Sequence, residues 1–259
     1  YYTNDAGKVS RSFPIAFNNT YDRKTGTVVI PTTPSQLNTD DHYAYVIGYP
    51  DGSVHPNGEI TRAEVAAIFF RLLRDDVRSA NFTTYNAYTD VSAGKWYNNP
   101  ISTMSRLGII KGYPDGTFRP NDPITRAEFA AIAARFDEHK AAKLASFTDI
   151  YGHWAISEIS LAYENGWIKG YSDGTFRPNR NITRAEAMAL INRVLNRAPE
   201  KPSDLLNNMN KWTDNMDTTK WYYLDVQEAT NSHDYTRKTN NYEMWKKMLA
   251  DPDWAKYER

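Results

Sequence analysis

Five letters occur three times in this chain, as Ile60-Thr61-Arg62-Ala63-Glu64, Ile124-Thr125-Arg126-Ala127-Glu128 and Ile182-Thr183-Arg184-Ala185-Glu186. Thr followed three residues later by Glu, ahead of an apolar run, is the capping-box pattern. The hydroxyl accepts an unpaired first-turn amide and the carboxylate returns to the amide of the cap. Three helices are predicted to start at these threonines. Each is apolar on a wide face, as in Phe129, Ile132, Ala133 and Phe136, and must be buried. The arginines do not follow from helix physics. A cation in the first turn opposes the helix dipole by roughly 0.3–1 kcal/mol. Arg62, Arg126 and Arg184 therefore either pair with a loop Asp or carbonyl, or wait for an external anion.

Ahead of each helix lies a loop of fixed length. Gly48-Tyr49-Pro50-Asp51-Gly52, Gly112-Tyr113-Pro114-Asp115-Gly116 and Gly170-Tyr171-Ser172-Asp173-Gly174 each place the Asp ten residues before the capping Thr. Asp-Gly supplies a tight turn with positive φ, and Pro-Asn ends the extended piece before the helix. Upstream of the second and third loops is a further shared half: Asp90, Trp96, Ile101 and Gly108 align with Asp149, Trp154, Ile159 and Gly166. The segment between Trp and loop Gly reads as a helix stopped by Gly108 or Gly166 in the left-handed conformation. The first loop lacks such a front half. Its pattern returns at the far end of the chain, in Trp212-Thr213-Asp214, Trp221 and Val226. A closed ring of three units therefore requires residues 212–235 to sit beside the first repeat, with Trp221 and Val226 expected on the helix that starts at Thr61.

The flanks are less regular. Residues 13–17 and 27–30 read as strands of one hairpin, followed by the Pro31-Thr32-Thr33-Pro34-Ser35 linker. Residues 236–259 read as a polar, aromatic tail with one short helix over 242–249. The expected division is 1–39 for the N-terminal segment and linker and 40–235 for the repeat domain, with 236–259 as the tail. Within the domain the pieces are 40–78, 88–137, 147–197 and the closing front half 212–235. The fold class expected is all-α, a pseudo-threefold helical bundle with a short N-terminal segment of β character.

Composition excludes several roles. The 259 residues carry 31 Lys plus Arg against 31 Asp plus Glu, so no net field recruits nucleic acid or an anionic membrane. No stretch is long and apolar enough for membrane insertion, and neither an initiating Met nor a signal-like run is present, which suggests the mature part of something longer. With no Cys there are no disulfides or thiolate metal sites. His42, His55, His139, His153 and His233 show no metal-ligand spacing, and Ser232-His233-Asp234 are adjacent rather than a folded triad. The recurrent carboxylates already have turn and cap duties, and the Asp-Gly loops lack the calcium-loop series. No metal, cofactor or catalytic residue is expected. The chain reads as a non-enzyme.

With loop and capping box assembled, the chain resembles a set of S-layer homology repeats over roughly residues 40–235. The resemblance implies a surface protein of a bacterium, extracellular and held non-covalently at the cell wall or S-layer. Its partner would be a secondary cell-wall polysaccharide bearing pyruvyl ketals, or modified peptidoglycan, bound in grooves between neighbouring repeats. The motif arginines would contact the acidic sugar, which carries over to Arg62, Arg126 and Arg184. Trp96, Trp154 and Trp221 would offer indole faces and Gly112 and Gly170 close backbone, although core packing and turn geometry explain those types equally. Lys111 and Lys169 are further candidates for the anion, whereas the first loop has Ile47 there and His55 in place of Arg119 and Arg177. The groove on the first repeat, and with it Arg62, is expected to contribute least. A carboxylate at these helix starts would gain from free amides, the dipole and a guanidinium together, and removing an arginine should cost little stability. The alternative is a structural subunit of a lattice or surface filament, with self-assembly through the same residues.

Overall fold

The computed structural model describes residues 33–258 except Glu138 and Ala142, together with four two-residue strands upstream. Those strands, β1 (Tyr2–Thr3), β2 (Val9–Ser10), β3 (Thr20–Tyr21) and β4 (Val28–Val29), pair antiparallel as β1 with β2 and β3 with β4. The run 27–30 thus contributes Val28–Val29 to a pair, with Thr20–Tyr21 as partner. The run 13–17 lies outside the described residues.

All three capping boxes form. Helices α1 (Arg62–Leu72), α4 (Arg126–Ala134) and α6 (Arg184–Val194) have Thr61, Thr125 and Thr183 as caps. In each, the hydroxyl accepts the amide of Glu64, Glu128 or Glu186 and that carboxylate accepts the cap amide. The front-half helices are α3 (Asn98–Arg106), α5 (Ile156–Glu164) and α7 (Tyr223–Thr230), and they pack on α1, α4 and α6 respectively. Gly108 (φ 74°) and Gly166 (φ 69°) stop α3 and α5 in the left-handed region that a Cβ disfavours. A short helix α2 (Asp75–Asn81), not foreseen from sequence, follows α1.

The ring closes around the repeated isoleucines. Ile124 donates its backbone N–H to Ile60, Ile182 to Ile124 and Ile60 to Ile182, at 3.1, 3.0 and 3.4 Å, a triangle of hydrogen bonds at the pseudo-threefold centre. Around it, each front-half Asp caps the next loop. The Asp90 carboxylate accepts the amides of Phe118 and Arg119, Asp149 those of Phe176 and Arg177, and Asp214 those of Val54 and His55. Asp214 thus does for the first repeat what its equivalents do for the others, across 160 residues. Tyr45 and Val46 add backbone bonds to Ala229. Closure therefore runs chiefly through the first loop, residues 44–57. The helix that α7 packs against is α6, rather than α1 as expected, because front halves ride on the preceding helix.

The all-α expectation needs one correction, at the C-terminal end. Residues 243–248 form a strand, not a helix: β6 (Glu243–Met248) pairs antiparallel with β5 (His233–Arg237), and Glu243 and Trp245 are buried. Tertiary pairing overrides the helix propensity of a Met- and Lys-rich run. A final four-residue helix α8 (Ala255–Glu258) follows. Much of the ring between helices is irregular loop.

Candidate functional site

Each motif arginine crosses to the neighbouring repeat. Arg62 donates from Nε to the Phe118 carbonyl (2.8 Å), from Nη1 to Glu128 Oε1 (3.0 Å) and from Nη2 to the Lys111 carbonyl (2.9 Å). Arg126 repeats this with Phe176, Glu186 and Lys169. Arg184 closes the circle on Val54, Glu64 and Ile47 of the first repeat. The guanidinium of Arg62 lies between the rings of Tyr113 (4.7 Å) and Phe118 (4.6 Å), and that of Arg126 between Tyr171 and Phe176. Arg184 has Tyr49, but Val54 in place of the second ring. All three are at most 8% exposed.

Two expectations change with this geometry. The helix starts hold no free amides for an anion. Arg62 and Ala63 donate their N–H groups to Asp122 and Pro120, Arg126 and Ala127 to Arg180 and Pro178, and Arg184 and Ala185 to Gly58 and Pro56. The arginines, moreover, are buried clamps between repeats, so removing one leaves carbonyls and a carboxylate unpaired and cannot be nearly neutral. Three of the five guanidinium N–H groups serve the protein in each case, which leaves one on Nη1 and one on Nη2 for a ligand.

Three equivalent cavities open above these arginines. The first, about 530 Å³, is lined by Arg62, Lys111, Gly112, Glu128, Arg135 and Trp154 among others. The second, about 180 Å³, has Arg126, Lys169, Gly170, Glu186, Arg193 and Trp221 in the same places. The third, about 160 Å³, has Arg184, Ile47, Gly48, Glu64, Arg71 and Trp96. Every sequence-predicted residue thus falls in a groove, and each groove draws on three successive units. The preceding helix gives the floor arginine, the central repeat its loop and helix, and the following front half its Trp. Arg62 therefore belongs to a lysine-bearing groove, and Arg184 to the groove on the first loop, the reverse of what sequence order suggests.

The Trp side chains are rim residues rather than core: Trp96 is 43% and Trp154 59% exposed, and Trp221 is half-buried. The loop glycines answer to packing. A Cβ on Gly112 would stand 2.3 Å from the Tyr88 ring, and one on Gly170 2.2 Å from Phe147. The Gly112 amide donates to the Tyr88 hydroxyl at 3.1 Å, a bond that Phe147 cannot offer Gly170. Burial, and after it Arg193, pull the Lys169 ammonium below its ordinary value.

A second arginine, which sequence reasoning missed, lies nine residues after each motif arginine: Arg71, Arg135 and Arg193. Each donates Nη1 to an equivalent backbone carbonyl, of Tyr45, Ile109 and Trp167. Burial lowers the Arg135 and Arg193 guanidiniums from their ordinary value, as is expected of cations drawn into a partly desolvated wall. Arg71 differs, because its Nε and Nη2 grip Glu258 of α8 at 2.5 and 3.0 Å. The lining of each lysine-bearing groove thus holds three cations against one carboxylate, a net +2. The lining of the third groove holds Arg184 and Arg71 against Glu64, a net +1, and Glu258 from outside the lining pairs with Arg71.

Comparison with known proteins agrees with the repeat architecture. The family described as S-layer homology domain matches residues 43–66, 87–130 and 146–188. The cellulosome-anchoring protein of Acetivibrio thermocellus is 38% identical over 223 residues, 83% of this chain and 48% of its own length. Cell surface glycoprotein 1 of the same organism is 38% identical over 223 residues, covering 82% of this chain and 9% of its own. An S-layer protein of Bacillus licheniformis is 30% identical over 152 residues, 56% of this chain and 17% of its own. The chain thus spans about half or less of the curated relatives it matches. It belongs to the S-layer homology domain proteins of the cell surface. It is extracellular and associated with the cell wall.

Proposed function

We propose that this domain anchors its protein by binding an acidic, pyruvylated sugar of a secondary cell-wall polysaccharide in the grooves floored by Arg62 and Arg126. The observation that carries the reading is the pair of outer arginines. Arg135 and Arg193 each spend one Nη on a carbonyl and line an open groove of net charge +2, beside a Lys and a Trp. Their equivalent, Arg71, holds a carboxylate in two-point contact. That internal pair indicates the group this position accepts, since a planar guanidinium matches a carboxylate with two parallel bonds. The exposed indole of Trp154 and the half-buried one of Trp221 offer apolar faces for the sugar ring beside the anion. A single such contact is worth roughly 1.5–3 kcal/mol, too little for firm anchoring, but a polymer carrying many acidic residues engages both grooves at once.

The test is retention of the domain on purified wall polysaccharide before and after mild acid removal of the pyruvyl ketal. Retention that needs the ketal supports the reading. Equal retention on both, or assembly of the protein into sheets with no polymer present, would favour the lattice role.

A further inference from the structure

Four side chains outside the grooves converge and leave several of their buried polar atoms without a hydrogen-bond partner. His42 comes from the segment before the first loop, Glu228 from α7, His233 from the start of β5 and Glu243 from the start of β6. Each is at most 1% exposed, and one ligand atom from each lies within 4.8 Å of the others. His42 Nδ1 stands 3.3 Å from His233 Nε2, 3.3 Å from Glu228 Oε1 and 3.3 Å from Glu243 Oε2. His233 Nε2 is 3.4 Å from Glu228 Oε2. Sequence spacing could not reveal the group, since the two histidines are 191 positions apart.

The two imidazoles are at hydrogen-bond distance, and the His–Glu approaches are ion pairs only where an imidazole is protonated. Glu228 Oε1 and both oxygens of Glu243 are buried with no hydrogen-bond partner. A fully buried carboxylate oxygen in that condition is costly, and native interiors rarely leave one so. Nearby arginines reach one of these atoms only. Arg237 lies 3.0 Å from Glu243 Oε1, away from Oε2. Arg197 donates to the carbonyls of Asn38, Asp41 and Tyr43. The three separations from His42 Nδ1 to the other donors, 3.3 Å each, match the edge of a tetrahedron around an ion with ligand distances of roughly 2.0–2.1 Å, and the remaining donors lie within 4.8 Å of one another. Two carboxylates and two neutral imidazoles carry a charge of −2.

We propose that His42, Glu228, His233 and Glu243 form a closed, four-coordinate site for a divalent transition-metal ion of the zinc type. The surroundings hold His233, Glu228 and Glu243 by a second contact each, whereas His42 Nε2 has no hydrogen-bond partner and its ring is held by stacking. His233 Nδ1 donates to the Asn231 carbonyl at 2.8 Å, which leaves Nε2 with a lone pair turned to the centre. Trp245 Nε1 donates to Glu228 Oε2 at 3.0 Å, so that Oε1 is the oxygen left for the ion. Tyr235 stacks on His42 and Trp245 on His233, with ring centres 3.8 and 3.9 Å apart. Imidazole and carboxylate ligands in tetrahedral array suit zinc, and with four protein ligands no position stays open for a substrate. The role is structural. The ion would join the first-loop segment to α7 and to the C-terminal hairpin, where the ring closes.

The test uses the whole chain. Protein grown with added zinc and desalted is expected to carry one zinc per chain by elemental mass spectrometry. Chelation should lower Tm, and zinc should restore it. Cobalt added to the stripped protein should give the intense visible bands of a tetrahedral N/O site. Glu243→Gln and His42→Gln should each weaken zinc binding at least about tenfold, while His139→Gln, an exposed histidine, leaves stoichiometry unchanged. Should the variants fail to fold, metal content and the reversible Tm shift of the unaltered chain still decide. Substoichiometric metal together with no Tm response to zinc, cobalt or manganese would overturn the proposal and leave the cluster a set of buried ion pairs. The experiment is independent of wall binding.

Discussion

The grooves floored by Arg62 and Arg126 and the one floored by Arg184 share a backbone plan but differ in charge. All three have a clamped arginine, a loop glycine and a rim Trp. Only the first two have a Lys at the loop and an outer arginine with donors to spare. In the third, Ile47 replaces the Lys and Glu258 takes Nε and Nη2 of Arg71. The floor arginine is thus common property of the fold, and the outer arginine separates a groove that can hold a foreign carboxylate from one already supplied with its own.

The largest effect is expected at the floor. Arg126→Ala and Arg184→Ala should each lose about 3–5 kcal/mol of stability, the range for removing one partner of a buried ion pair. Thr125→Ala should lose about 0.5–2 kcal/mol. Chemical denaturation of the three variants ranks them, and an arginine variant more stable than the threonine one would refute the clamp. Next comes the outer position. Arg135→Ala with Arg193→Ala should lower retention on wall polymer about a hundredfold, from two charge-assisted contacts at roughly 1.5 kcal/mol each. Arg71→Ala should leave retention unchanged while lowering stability by about 1–3 kcal/mol through the stranded Glu258 carboxylate. Cosedimentation and thermal melts on the same samples separate the two effects.

A smaller change would convert the third groove. Ile47→Lys with Glu258→Gln frees Arg71 and restores the missing cation, and should raise retention about tenfold, the worth of one further contact near 1.4 kcal/mol. No gain would mean that shape, rather than charge, keeps that groove closed. The smallest effect is expected at Tyr88→Phe, which makes the first groove resemble the second by removing the hydroxyl that accepts the Gly112 amide. A loss of about 1 kcal/mol or less in stability, with retention intact, is the expected outcome of denaturation and binding assays.

Much of this was legible in the letters. Thr-x-x-Glu reports a local structure, and three copies at fixed spacing after Asp-Gly turns indicate three like helices. The stray front half at Trp212 to Val226 pointed to a closed ring. What the sequence did not disclose is where a side chain reaches once the ring forms. Sequence proximity places Arg62 beside its own loop, whereas it bonds the carbonyls of Lys111 and Phe118 two helices on. Arg71 and Arg193 sit in last turns, where a cation already satisfies the helix dipole, so their recurrence nine residues after the motif has a local explanation that hides their place in the grooves. The strand at Glu243–Met248 was hidden by helix-forming residues and became a strand through its pairing with β5.

The closure of the ring has a mechanical consequence. In an open solenoid each unit touches only its neighbours, so a pull on one end can peel units off in turn. Here a tug at Thr33 arrives almost at once at Asn38, bonded to Leu72, at His42, bridged to His233, and at Tyr45 and Val46, bonded to Ala229. The outermost thread of the first unit is stitched to the last. Load is therefore shared across both ends of the ring before any single repeat can be stripped away. The domain should yield in one step rather than in three, and single-molecule stretching from residue 33 would display that as one rupture event.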